Sequence, residues 1–131
     1  MLTQASVDAT EERLRQQAAE LIDYQRQAFY QALKSQLKDP DTYATLNWCF
    51  FAGAHHFYLG QWLRGLFNLL TTTVSILLLF SPLFFVGIVL LLAITVAELY
   101  QLFRAQIIVQ HWNNQRMQDL LDSGDYLTPK R

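Results

Sequence analysis

The residues of this chain best suited to chemistry are His55, His56, Arg64 and Glu98, with Cys49 nearby in sequence. Two adjacent histidines project about 100° apart on a helix, and a spacing of three or four residues suits a ligand pair better. A metal would need Cys49, His111 or Glu98 delivered by the fold, so the expectation is no metal. The imidazoles are expected instead to bond backbone carbonyls freed by a turn at Gly53. Cys49 is the only cysteine. It cannot form an internal disulfide and reads as a small buried hydrophobe. Arg64 and Glu98 stand in otherwise apolar sequence, where ionisable groups are costly and usually paired. Glu98 lies about one helical turn inside Phe103, within reach of a long arginine. The expectation is an Arg64–Glu98 ion pair, against the alternative of two separately snorkelling side chains. The chain has no Gly-x-Ser-x-Gly, no Cys-x-x-Cys, no phosphate loop and no paired acid–histidine spacing. It is therefore expected to be no enzyme and to hold no cofactor.

The elements that position these residues follow from the charge distribution. Between Thr42 and Ala97 the one charged side chain is Arg64. Leu, Ile, Val and Phe at this density match a hydrocarbon solvent rather than water. The averages conceal this: over 131 residues the chain is 52% hydrophobic and 16% charged, with net charge −1. That charge, and the lack of a basic stripe interleaved with aromatics, excludes nucleic acid as a partner. The expected fold is an all-α integral membrane protein.

Three apolar segments are expected. The first, residues 42–59, is interrupted by Asn47, Gly53, His55 and His56; the second covers 65–80 and the third 83–103. As one straight helix, residues 65–103 would span roughly 60 Å against a hydrocarbon core of about 30 Å. Ser81-Pro82 must therefore turn the second and third segments into a helical hairpin. In Phe57-Tyr58-Leu59-Gly60 the aromatic rings suit a membrane interface and the glycine permits a turn. Gly87, and Ala93 with Ala97, allow close helix approach, while Thr71, Thr72, Thr73 and Ser75 can bond back to helix carbonyls.

Residues 8–38 read as one amphipathic helix, capped by Asp8 with Glu11 three residues on. Leu14, Ala18, Leu21, Ile22, Ala28, Phe29, Leu33 and Leu37 form its apolar stripe. The opposite face is not strongly basic, so packing against a second copy or a partner protein is favoured over the lipid surface. Asp39-Pro40 ends it. Helical pattern continues from 104 to about Leu121, with Ser123-Gly124 as the stop and a loose tail from 125. Three regions result: 1–39, 40–103 and 104–131. Residues 1–15 lack an apolar core and a small-residue cleavage site, so the first forty residues are expected to stay unexported.

Lys34, Lys38, Arg64, Arg104 and Arg116 flank the segments, and the Ser81-Pro82 turn has no charge. A hairpin with both termini cytoplasmic puts every positive charge on one side. The competing arrangement is three full crossings.

Gly53-Ala54-His55-His56-Phe57-Tyr58-Leu59-Gly60 resembles the signature of the transmembrane-two (TM-two) domain family, Gly-x-His-Arg-Phe-Tyr-Leu-Gly. His55 matches the family histidine, and His56 stands where the family has arginine. Gly65-Leu66-Phe67-Asn68-Leu69-Leu70-Thr71 is similar to the family's Gly-Ile-x-Gln-Leu-Leu-Thr. Glu98-Leu99-Tyr100-Gln101-Leu102-Phe103 resembles its acidic residue with apolar followers, without the usual preceding tryptophan. The stretch between Gly60 and Glu98 is longer than the family's. The resemblance implies a small membrane protein with a helical hairpin and carries over no catalytic residue.

The function expected is a non-enzymatic accessory or scaffold subunit of a bacterial inner (cytoplasmic) membrane. Its partners would be the lipid bilayer and a protein partner or second copies of itself, docked through the terminal helices. The alternative is a homo-oligomeric channel or transporter whose path is lined by Asn47, Asn68, the threonines and Glu98.

Overall fold

In the computed structural model, which describes residues 1–48 and 54–128, the chain is all-helical, with no strand among the described residues. The helices are α1 (Gln4–Ala19), α2 (Asp23–Lys34), α3 (Pro40–Trp48), α4 (Ala54–Tyr58), α5 (Trp62–Leu79), α6 (Phe84–Phe103) and α7 (Ala105–Ser123). They divide between two compact units, one formed by residues 1–39 with those from Ile107 onward, the other by Pro40–Gln106.

The first unit joins the two polar flanks. Its core is Leu14 and Ala18 of α1, Phe29 and Leu33 of α2, and Met117 and Leu120 of α7. Within the apolar stripe, Leu14, Ala18, Phe29 and Leu33 are covered inside the chain, whereas Ile22 and Leu37 stay exposed. The stripe also belongs to two helices rather than one. The guanidinium of Arg26 donates to the carbonyls of Ala19 (3.0 Å) and Leu21 (2.9 Å), closing the end of α1 so that the chain can turn. The cap lies earlier than expected, at Thr3: its hydroxyl accepts from the Ser6 amide, and its amide donates to the Ser6 hydroxyl. Asp8 and Glu11 instead accept hydrogen bonds from the Gln110 amide of α7, at 2.8 and 2.6 Å.

Two asparagines of α7 tie the unit together. Asn113 accepts from the Lys38 amide at 2.8 Å and donates to its carbonyl at 3.0 Å, and buried Asn114 donates to the Val7 carbonyl at 2.9 Å. Gly124, in the left-handed region at φ 67°, ends α7 as expected. The described part of the tail, 125–128, is less loose than its composition suggests. Asp125–Leu127 forms a 3-10 turn, and the Tyr126 ring meets Phe29 edge-on at 5.4 Å.

In the second unit α5 and α6 form the expected hairpin about Ser81-Pro82. The Ser81 hydroxyl donates to the Leu78 carbonyl and accepts from the Leu83 amide, satisfying groups left open between the helices. At 18 and 20 residues, the helices are about 27 and 30 Å long, matching a hydrocarbon core of about 30 Å. Only 11% of the apolar window in each is buried in the protein. Phe67, Phe80, Phe85, Val89, Leu92 and Val96 are exposed. A continuous apolar surface of this kind suits lipid and not water. Of the small residues expected at the helix contact, Gly87 is there and buried, whereas Ala93 and Ala97 face outward. The first apolar segment folds as α3 and α4, with residues 49–53 outside the description.

Candidate functional site

The short helix α4 and the two hairpin helices bring a set of polar side chains together at the end of the hairpin away from Ser81-Pro82. α4 turns into α5 at Gly60, whose φ of 72° is strained for any residue with a Cβ; no atom of the described residues lies within 4 Å of where that Cβ would be. Glycine is thus required there by the backbone and not by crowding. At Gly65 the reverse holds: a Cβ would come within 2.7–2.9 Å of the Phe57 ring. Phe57 lies over this glycine and meets Trp62 edge-on at 5.1 Å. These two contacts seat α4 against α5 and set the direction of the histidines.

His55 and His56 are buried, with ring centroids 4.0 Å apart. Both face Glu98 of α6, itself 8% exposed. His55 Nε2 stands 2.9 Å from Glu98 Oε2 and 3.2 Å from Gln101 Oε1. His56 Nε2 stands 3.9 Å from Glu98 Oε1. The Asn68 amide of α5 donates to the same Oε1, and Thr72 donates to Asn68 Oδ1 at 3.4 Å. From α3, Asn47 donates to the Glu98 backbone carbonyl at 3.0 Å and the Tyr43 hydroxyl donates to Gln101 Oε1 at 3.2 Å. Tyr43 also meets the His55 ring edge-on at 5.2 Å. The Glu98 carboxyl therefore joins α4 and α5 to α6, while α3 is tied in through the Glu98 backbone carbonyl and the Gln101 side chain.

This geometry replaces the expected Arg64–Glu98 ion pair. The carboxylate oxygens of Glu98 face His55, His56 and Asn68, and its ion-pair partners among the described residues are the two histidines. Arg64 is exposed and lines a cavity of about 420 Å³ with His56, Phe67, Asn68, Glu98 and Gln101. Helix α4 causes the difference, because it inserts the histidines where the arginine was expected to reach. His55 Nε2 faces side-chain oxygens, while the carbonyls of the turn at Gly53, to which the imidazoles were expected to bond, lie outside the described residues. Tyr58 is half-buried beside the site, while Gly53 and Cys49 fall outside the described residues.

Burial pushes the His56 pKa down, reinforced by neighbouring His55 and Arg64 and opposed by Glu98 and Gln61. Gln61 lies near the ring, yet His56 Nδ1 is buried with no partner in hydrogen-bond geometry among the described residues. The Tyr43 phenol is pushed up to about 12, first by burial and then by Glu98.

Tyr43 and Gln101 escaped the sequence reading as parts of the site. Gln101 carried a usable signal, for it follows Glu98 by three residues and so shares its helix face. Tyr43 carried none, because its role depends on where α3 packs.

No protein-family model, no curated protein and no solved structure matches this chain.

Proposed function

We propose that this chain is a small non-enzymatic integral membrane protein of the TM-two kind, acting as an accessory or scaffold subunit. The observation that carries this reading is the contrast between its two units. One exposes apolar side chains along two span-length helices, and the other has its own core and a polar exterior. A lipid-embedded anchor and a folded polar docking module account for both. Arg64 and Arg104 belong to the same end of the hairpin, and Ser81-Pro82 at the other end carries no charge. This supports a bacterial inner (cytoplasmic) membrane setting with both termini cytoplasmic. The motif around His55, with Gly60 at positive φ and Gly65 under Phe57, supports the family resemblance by giving its glycines and aromatics a structural use.

In the polar module the docking site is the groove of about 300 Å³ between α1 and α7, lined by Val7, Thr10, Arg13, His111, Gln115 and Gln118. A photo-crosslinker placed at Thr10 or Gln118 in native membranes should trap one discrete protein, and the same label at lipid-facing Phe85 should not. Labelling of lipid alone from all three positions would remove the scaffold reading.

The cavity beside Glu98, whose wall includes Asn68, Thr71 and Gln101, favours one second reading, a homo-oligomeric channel or transporter. Ion flux into liposomes that disappears in Glu98→Ala, in protein that still assembles, would establish it.

A further inference from the structure

We propose that His55, His56 and Glu98 bind a divalent transition-metal ion, Zn²⁺ by preference. One ligand atom from each of these three buried residues lies within 4.8 Å of the others. Zn²⁺ takes imidazole nitrogen and carboxylate oxygen at about 2.0–2.2 Å in tetrahedral geometry, which puts ligand atoms roughly 3.3 Å apart. The two nitrogen–oxygen separations, 2.9 Å from His55 Nε2 to Oε2 and 3.9 Å from His56 Nε2 to Oε1 of the same carboxylate, fall on either side of that value. Small rotations of the rings would bring both to it.

Three further features fit an ion. His56 is buried, and its Nε2 stands 3.9 Å from Glu98 Oε1, too far for a hydrogen bond. An ion between them would engage a ring that the protein alone leaves underused. The neighbouring side chains would orient the ligands, since Asn68 holds one carboxylate oxygen and Tyr43 holds Gln101 beside His55. The cavity of about 420 Å³ reaches His56, Glu98 and Gln101. It offers a route in and room for a water or the Gln101 carbonyl as fourth ligand. Two imidazoles and a carboxylate favour zinc-type ions over magnesium or calcium, which require mostly oxygen. The adjacency of the histidines, which in sequence argued against a metal, is overcome because both rings turn toward one carboxylate on another helix.

The test uses the full chain, purified in mild detergent with a tag free of histidine. After dialysis against Zn²⁺ and removal of excess, elemental analysis should find about one Zn²⁺ per chain, consistent with a single three-ligand site. Co²⁺ should bind with the visible bands of tetrahedral coordination, and Zn²⁺ should displace it. His56→Gln and Glu98→Gln should each weaken Co²⁺ binding by roughly tenfold or more, and His111→Gln, in the other unit, should leave it unchanged. Wild-type protein that takes up no Zn²⁺ or Co²⁺ above the level of empty micelles overturns the proposal without recourse to any variant. So does wild-type affinity in folded His56→Gln. Either result would leave the cluster a purely hydrogen-bonded staple.

Discussion

Gly87 of α6 lies against the backbone of Ser75 in α5 so closely that a Cβ on the glycine would fall 2.7 Å from the Ser75 carbonyl oxygen. Ser75 is itself fully buried, with its hydroxyl donating to the Thr71 carbonyl at 2.7 Å. The hairpin thus meets through two small residues, with bulky side chains directed outward. Where lipid is as apolar as the side chains, such close packing is a principal source of helix association. Gly87→Val should lower stability in detergent by about 1–3 kcal/mol, the range for overpacking a tight contact. Ala93→Val, on an exposed position of the same helix, should leave it unchanged. Thermal unfolding followed by circular dichroism would separate the two, and equal effects would move the helix contact elsewhere.

Gly60 makes a different demand. Its φ of 72° with open space around the missing Cβ means that substitution is penalised by conformation alone. Gly60→Ala should cost about 1–2 kcal/mol, and Gly60→Asn less, since asparagine tolerates the left-handed region. If both variants melt with the wild type, the α4–α5 turn has another conformation in the membrane.

The pairing of Glu98 can be tested against the arginine that sequence suggested. Arg64→Ala should change stability by less than about 0.5 kcal/mol, as for an exposed side chain. His55→Ala removes a buried ring 2.9 Å from Glu98 and should cost about 2–4 kcal/mol by leaving the carboxylate underpaired and a void beside Tyr43. The reverse order of effects would restore the arginine as partner.

Tyr43 supplies a pH dependence. Its phenol is raised from 10.0 to about 12 in the folded chain, so the folded state favours the neutral form. The unfolded chain loses this proton first as pH rises past 10. The stabilisation is therefore complete below pH 10 and declines toward pH 12, by about 2–3 kcal/mol in total. Tyr43→Phe should lack this component. The ultraviolet difference spectrum between wild type and variant should show phenolate appearing with a midpoint near 12. A midpoint near 10 would mean that Tyr43 is solvated.

Phe29 joins three parts of the polar unit, lying in one core with Leu14 of α1 and Met117 of α7 and meeting Tyr126 edge-on. Phe29→Ala should cost about 3–5 kcal/mol, and hydrogen exchange should show α1, α2 and α7 opening together. Protection lost in α2 alone would mean that the flanks fold independently.

The hairpin was legible because its cause is written locally: long uncharged apolar runs on either side of a Ser-Pro turn. The stop at Gly124 was legible for the same reason. The break at residues 20–22 was not, because it depends on Arg26 reaching back to carbonyls exposed only once α1 has ended. The cover for the α1–α2 stripe was invisible because Met117 and Leu120 lie far along the chain, and α7 has no strong apolar face of its own. At the site, the importance of His55, His56 and Glu98 could be read from their isolation among apolar neighbours. Their mutual arrangement could not, since it follows from where α4 is seated by Gly65 and Phe57.

A core shared by Phe29 and Met117 has a consequence for biosynthesis. The ribosome makes the whole hairpin between them, on the order of ten seconds of elongation. During that interval α1 and α2 leave the tunnel with their greasy stripe uncovered, while the apolar helices are being handed to the insertion machinery. Nascent chains halted before α7 should consequently recruit chaperones, and release of the last helix should free them.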